Sequence, residues 1–464
     1  MTRTRTLEPD ARTALQEPAP AALRASGVPE TARRIAAVVG PVLLVAGIIV
    51  ARNPPALFRA EFWAEDATEF FFTAMGRGAA SIALPVYGYQ FLLSRIVAYL
   101  ATLAPVLYAP YVYAWASLLL NAVSIAYITR PGFAWIAPRL YQRLLLAAAL
   151  AIGPGTSEAF LNLANLPNVV ALLGLLLLIE RPFALDPPRA IALLVLTLSS
   201  GQMVLWLPVV VYLAWVQRSR AHALIALAIG GVAALNIFGT GRASSDAHLL
   251  SHAGVAVIAR VLVENAFTRL IPGPFLGEIH TRTLMLASAR VFWSFAVAGF
   301  VAVAALVRVE YRRQAKETAL LVLAYAGAIG GLGVVAMSRN YAIPQLVRES
   351  GSLLPELRYS VLPGAVVLIF WAWWLLRPRP RRWPWILGRC AAAYMLLTNV
   401  TPNWDRAFPR QDLHWPEKAA RLQAVLDERA RTGSAALIHM RDLAIHPVGW
   451  LPNNERYEVA LPPR

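Results

Sequence analysis

Long apolar runs, separated by short polar ones, set the pattern of this chain. They cover roughly residues 35–51, 89–105, 108–129, 140–153, 166–180, 190–216, 222–238, 291–307, 318–337, 361–376 and 385–400. Many approach the roughly 20 residues that carry a helix across a bilayer. Lipid offers backbone groups no hydrogen-bond partners, so each run predicts a helix. The implied fold class is an all-α polytopic membrane protein of about 11–12 hydrophobic helical segments, with a large first periplasmic loop and a small C-terminal α/β periplasmic appendage. The run 190–216 carries Ser199-Ser200-Gly201-Gln202 at its middle and Arg189, Arg218 and Arg220 at its flanks. It predicts two half-helices that dip in and return, broken at the polar step.

The ends differ from the middle. Residues 1–34 are polar and rich in Ala, Pro and Arg, the make-up of a disordered cytoplasmic tail. Residues 35–400 form the transmembrane domain. Residues 401–464 predict a small periplasmic C-terminal domain. In it Leu422, Val425 and Leu426 recur at helical spacing, and 435–440 and 457–461 read as short strands.

Composition narrows the function classes. Of 464 residues, 58% are hydrophobic and 15% charged, and the mean hydropathy is +0.53. A soluble domain carries about 25% charged residues. The net charge of +17 would suit nucleic acid, but the arginines fall in short runs between apolar blocks: Arg33-Arg34, 218–220, 308–316 and 377–382. That is the bias of cytoplasmic loops, so a nucleic-acid partner is set aside. The N-terminus is then cytoplasmic, and loops 52–88, 239–290 and 338–360 and the C-terminus are periplasmic, in a bacterial inner membrane. Counting from the two ends disagrees by one crossing before residue 154, so either 89–105 or 108–129 does not cross. The lone Cys390 rules out an intramolecular disulfide and a cysteine-built metal site.

Ionisable residues gather in the outside loops. Phe62-Trp63-Ala64-Glu65-Asp66-Ala67-Thr68-Glu69 places two adjacent carboxylates just past the first helix. In a low-dielectric setting such a group can take a proton from an acceptor hydroxyl. Asp66 and Glu69 also fit a capping box. Glu158, Asn162 and Asn165 would share one helix face, able to bind sugar hydroxyls or to cap the next helix. Arg358, with Tyr359, stands at a helix start, where a lipid phosphate or simple snorkelling would explain it. His248, His252, Glu278 and His280 lie in loop 239–290 without a known metal motif, so sugar contact, metal binding and an ordinary loop role all stay open there.

Asp66 with its neighbours, followed by Tyr87-Gly88-Tyr89 and Arg95, resembles the Trp-x-Glu-Asp and Tyr-x-Gly-Tyr pattern of bacterial members of the C-type (GT-C) membrane glycosyltransferases. The resemblance extends as an arrangement over most of the chain from about residue 35. It implies a sugar carried on polyprenyl phosphate, an inverting transfer, and a glycan, lipid or protein acceptor on the outer face. It makes Asp66 the general base with Glu65 as its neighbour or substitute, and Arg358 with Tyr359 the donor-phosphate ligands. Glu158, Asn162, Asn165, Tyr87, Tyr89 and His280 become sugar or acceptor contacts. Some members use a divalent metal and others do not, so that cofactor stays open. Two other functions compete: a transporter or flippase for a lipid-linked solute, which the polar break at Ser199–Gln202 favours, and a non-catalytic subunit of an envelope assembly complex.

Overall fold

The computed structural model describes residues 29–62, 66–86, 88–153, 156–238, 287–338, 361–376, 414–433, 436–439 and 458–461, with single positions between 283 and 394. Helices dominate. In chain order the main ones are α1 Glu30–Arg52, α2 Phe72–Arg77, α3 Leu92–Ala101, α4 Ala109–Ala126, α5 Leu140–Ile152, α6 Leu166–Ile179, α7 Pro187–Thr197, α8 Leu207–Gln217, α9 Arg220–Phe238, α10 Ala289–Arg313, α11 Ala315–Ser338, α12 Val361–Leu375 and α13 Trp415–Thr432. Among the described residues, the strands are β1 Ala436–His439 and β2 Glu458–Leu461, which pair antiparallel with Ala436 opposite Leu461.

Among the described residues, two helical stretches are long and apolar enough to cross a membrane, Glu30–Arg52 and Val106–Thr129. Helix α1 starts earlier than the apolar run suggests. Glu30 and Arg34 form an i, i+4 ion pair at 2.5 Å, which carries the helix back to Pro29 and takes residues 30–34 out of the expected tail. Pro54 and Pro55 follow it closely, so it cannot continue. Helix α6 is buried on almost every side, as an unbroken Leu/Val run requires. Elsewhere large apolar side chains point outward, among them Leu43, Leu145, Trp215 and Leu227, the last 72% exposed. Outward apolar side chains in this number suit a surface that meets lipid or a partner.

The bundle has two chemically distinct ends. At one, Arg52 donates to Ala151 O (2.9 Å) and Thr156 Oγ1 (2.7 Å), so α1 and α5 finish together. At the other, Glu180 gathers Tyr127, Arg130 and Arg189 from the end of α4, the turn beyond it and the start of α7, at 2.5, 2.8 and 3.0 Å. Burial alone would lower the Arg130 pKa. The bond to Glu180, with the charges of Tyr127, Glu180 and Asp186, outweighs that and holds it above the ordinary arginine value. Arg181 pairs with Glu317 of α11 at the same end. Arg143 donates to the carbonyls of Thr129, Ala137 and Pro138, capping the chain leaving α4.

These contacts place α3. Leu92 N bonds Leu198 O and Ser94 Oγ bonds Leu163 O, both near the Asp66 end. The chain beyond α3 is held there too, since Leu107 O accepts from Trp415 Nε1 and Tyr111 Oη donates to Phe58 O. Helix α3 therefore starts and finishes at one end, and its 10 residues span only about 15 Å. Of the two runs left open by the crossing count, 108–129 carries a helical stretch long enough to cross and 89–105 carries only the shorter α3.

The run 190–216 breaks where the polar residues stand. Thr197 and Ser199 turn their hydroxyls back to Leu193 O and Val195 O, and Ser200 accepts from Gln202 N. Ser200 Oγ also donates to Pro167 O at the start of α6 (2.9 Å), so the break lies at the Asp66 end and not at mid-depth. The following helical turn, Gly201–Trp206, runs back along α6, with Trp206 Nε1 donating to Ala171 O. Gly327 and Gly331 of α11 both abut Leu205, which lets the two backbones touch.

Candidate functional site

Asp66 opens a short π-helix, Asp66–Phe71, that leads into α2. Wide turns of this kind recur at functional sites. The carboxylate is 2% exposed. Its Oδ1 accepts from the N–H groups of Leu163 (3.1 Å) and Ala164 (2.8 Å), far along the chain. Those donors converge because Leu161 sits at φ 64, a left-handed conformation that costs energy for an apolar side chain and bends the loop around the carboxylate. Ser94 of α3 bonds Leu163 O at 3.1 Å and so fixes the loop from the other side.

Two more buried side chains stand near the carboxylate. Arg95 is buried and donates to Glu69 O (2.6 Å) and Leu84 O (3.2 Å), with its guanidinium 5.2 Å from the centre of the Phe70 ring. Burial pulls its pKa below the ordinary arginine value, against the charges of Glu69 and Tyr113. Tyr113 of α4 lies within electrostatic reach of both Asp66 and Arg95, and its buried hydroxyl has no hydrogen-bond partner among the described residues. Phe62, Phe71 and Trp415 pack around the Tyr113 region, with Phe62 5.1 Å from Tyr113 and 4.8 Å from Trp415, ring centre to ring centre. Trp415 N also donates to Glu61, so α13 closes over the first loop. A narrow apolar recess lies between α4, α5, α6 and α12, lined by Ile125, Thr156, Phe160, Val169, Leu172 and Leu368.

The other expected site residues fare unevenly. Asn162 and Asn165 are buried beside Asp66, but they do not share a helix face with Glu158. Helix formation stops at Ala159, Leu161 reverses the backbone, and α6 begins only at Leu166. Asn162 Oδ1 accepts from Asn165 N at 2.8 Å, holding the loop that carries the Asp66 donors. The Tyr89 ring is 48% exposed near the break at Ser199–Gln202. Glu65, Tyr87, His280, Arg358, Tyr359 and the Glu158 side chain lie outside the described residues, as do His248, His252 and Glu278. Among the described residues no cluster of three His, Cys, Asp or Glu side chains stands ready for a metal ion.

Tyr113, Asn168 and Gln202 were not singled out as contacts from the sequence. Each is polar within or beside an apolar run, which is the one signal that could have marked them. Comparison with protein-family models, with curated proteins and with solved structures finds no match to this chain.

Proposed function

We propose that this chain is a polytopic inner-membrane glycosyltransferase that moves a sugar from polyprenyl phosphate to a cell-envelope hydroxyl on the non-cytoplasmic face. The observation that carries the proposal is the Asp66 constellation: a buried carboxylate, oriented through one oxygen by two backbone N–H groups, beside a buried arginine and a tyrosine hydroxyl that has no hydrogen-bond partner among the described residues. A carboxylate held this way can accept a proton in a fixed direction. Asp66 removes the proton from the acceptor oxygen as that oxygen attacks the anomeric carbon, and the sugar–phosphate bond breaks with its electron pair going to the phosphate. The Tyr113 hydroxyl donates to the sugar or the acceptor. Arg95 offsets negative charge inside the pocket, and Arg358 with Tyr359 holds the departing phosphate.

The membrane placement rests on the two long apolar helices, the outward apolar side chains and the arginine-rich end opposite Asp66. With α3 lying along the surface, the crossing count from the two ends agrees: the Arg130–Glu180–Arg189 end is cytoplasmic and the Asp66 end faces out. The position of the Ser199–Gln202 break at that outer end weighs against a transporter, which wants its polar break near the midplane.

The test is the lipid pool. Host cells lacking this chain should accumulate a polyprenyl-phosphate sugar, seen by mass spectrometry of lipid extracts. The wild-type chain should clear it and Asp66→Asn should not. An unchanged lipid pool in the deletion strain would contradict the proposal.

A further inference from the structure

The tip of the α7–α8 hairpin carries polar groups that the chemistry at Asp66 does not use. Gln202 Nε2 donates to Asn168 Oδ1 at 2.8 Å, and Asn168 Nδ2 donates to Asn165 O at 3.1 Å. This fixes the Gln202 amide from one side. Its carbonyl oxygen Oε1 has no hydrogen-bond partner among the described residues. A tethered amide with an unused acceptor is costly unless a donor arrives.

Beside it stands an aromatic ring. Val86 and Tyr89 exchange both backbone bonds at 2.8 Å, and Gly88 at φ 85 makes the tight turn between them. The turn lays the Tyr89 ring against Gly201, so closely that a Cβ there would strike Cδ1. The ring is nevertheless 48% exposed. Asn168 bonds the backbone of Asn165, next in the chain to Ala164, whose N–H donates to Asp66, so the amide pair is anchored to the loop that holds the carboxylate.

We infer that Tyr89, Gln202 and Asn168 form a carbohydrate subsite, in which the apolar face of a sugar ring rests on Tyr89 and a sugar hydroxyl donates to Gln202 Oε1. Aromatic faces suit the C–H side of a pyranose, and a fixed amide reads one hydroxyl's position. The inference deepens the transferase proposal by giving the hairpin tip the role of choosing the sugar.

The test uses the full chain in lipid nanodiscs and saturation-transfer NMR with methyl glycosides of glucose, galactose, mannose and arabinose. At least one glycoside should receive saturation from the wild type and from Asp66→Asn alike. Gln202→Leu and Tyr89→Ala should each weaken that signal about tenfold, the worth of one hydrogen bond or one stacking face. The two variants remove different groups from different elements, so matched losses of signal at an unchanged Tm rule out a folding artefact. No glycoside signal in the wild type, or equal signals in all four proteins, overturns the subsite. Its failure is separate from that of the transferase reading. A normal lipid-clearing phenotype in Gln202→Leu with an unchanged sugar preference removes the subsite and leaves the transferase. A Gln202-dependent signal in a protein that clears no lipid does the reverse.

Discussion

Asp66 owes its setting to two N–H groups 97 and 98 residues further along the chain. Asparagine keeps an Oδ1 that can accept from both, so Asp66→Asn should fold with an unchanged Tm. It should lose transfer by about 10²–10⁴-fold, the range of a missing general base. Near-normal turnover would take the base role from Asp66. Tyr113 gives a second residue-scale prediction. Its hydroxyl is buried without a partner among the described residues, so Tyr113→Phe should leave stability unchanged or slightly raised while transfer falls about tenfold. A drop in Tm would show that the hydroxyl has a structural partner after all. The acidic pair was legible in the sequence because carboxylates are rare in so apolar a chain. The geometry was not. It depends on Leu161 taking a left-handed backbone, which no local preference announces.

At the scale of elements, helices join through a few polar hubs. Glu180 ties α4, the turn after it and α7 together through Tyr127, Arg130 and Arg189. Glu180→Ala strands two arginines beside a buried site and should cost roughly 3–5 kcal/mol, measured by thermal unfolding in detergent. A loss within error would mean that water already satisfies the pair. Asn121 of α4 is the opposite case, buried with neither side-chain atom partnered among the described residues. Asn121→Leu should therefore hold or raise Tm, whereas a clear drop would reveal a bound partner at that amide. Most helices were legible because apolar runs demand them, and the break at Ser199–Gln202 was legible because serines and glycine interrupt one run. The surface course proposed for α3 was not, since its ten residues look like part of a crossing until their bonds to Leu163, Leu198 and the Trp415 contact at Leu107 are seen.

Over the whole molecule the two ends divide the work. In the proposed reading the arginine end fixes orientation and the Asp66 end holds the chemistry; α13 packs over that end through Trp415. In a Cys390→Ser background, single cysteines at Thr102 and Phe58 should both react with a membrane-impermeant maleimide from outside intact cells. A cysteine at the exposed Arg139 should react only after the cells are opened. Labelling of Thr102 and Phe58 from opposite sides would make α3 a crossing and break the proposed sidedness. The central claim is the transfer itself. It is tested most directly by the purified chain in nanodiscs, given a radiolabelled polyprenyl-phosphate sugar and envelope acceptor. Acceptor-dependent release of polyprenyl phosphate by the wild type, absent in Asp66→Asn, is the predicted result. Equal release by both proteins, or none by the wild type with every sugar tried, would contradict it.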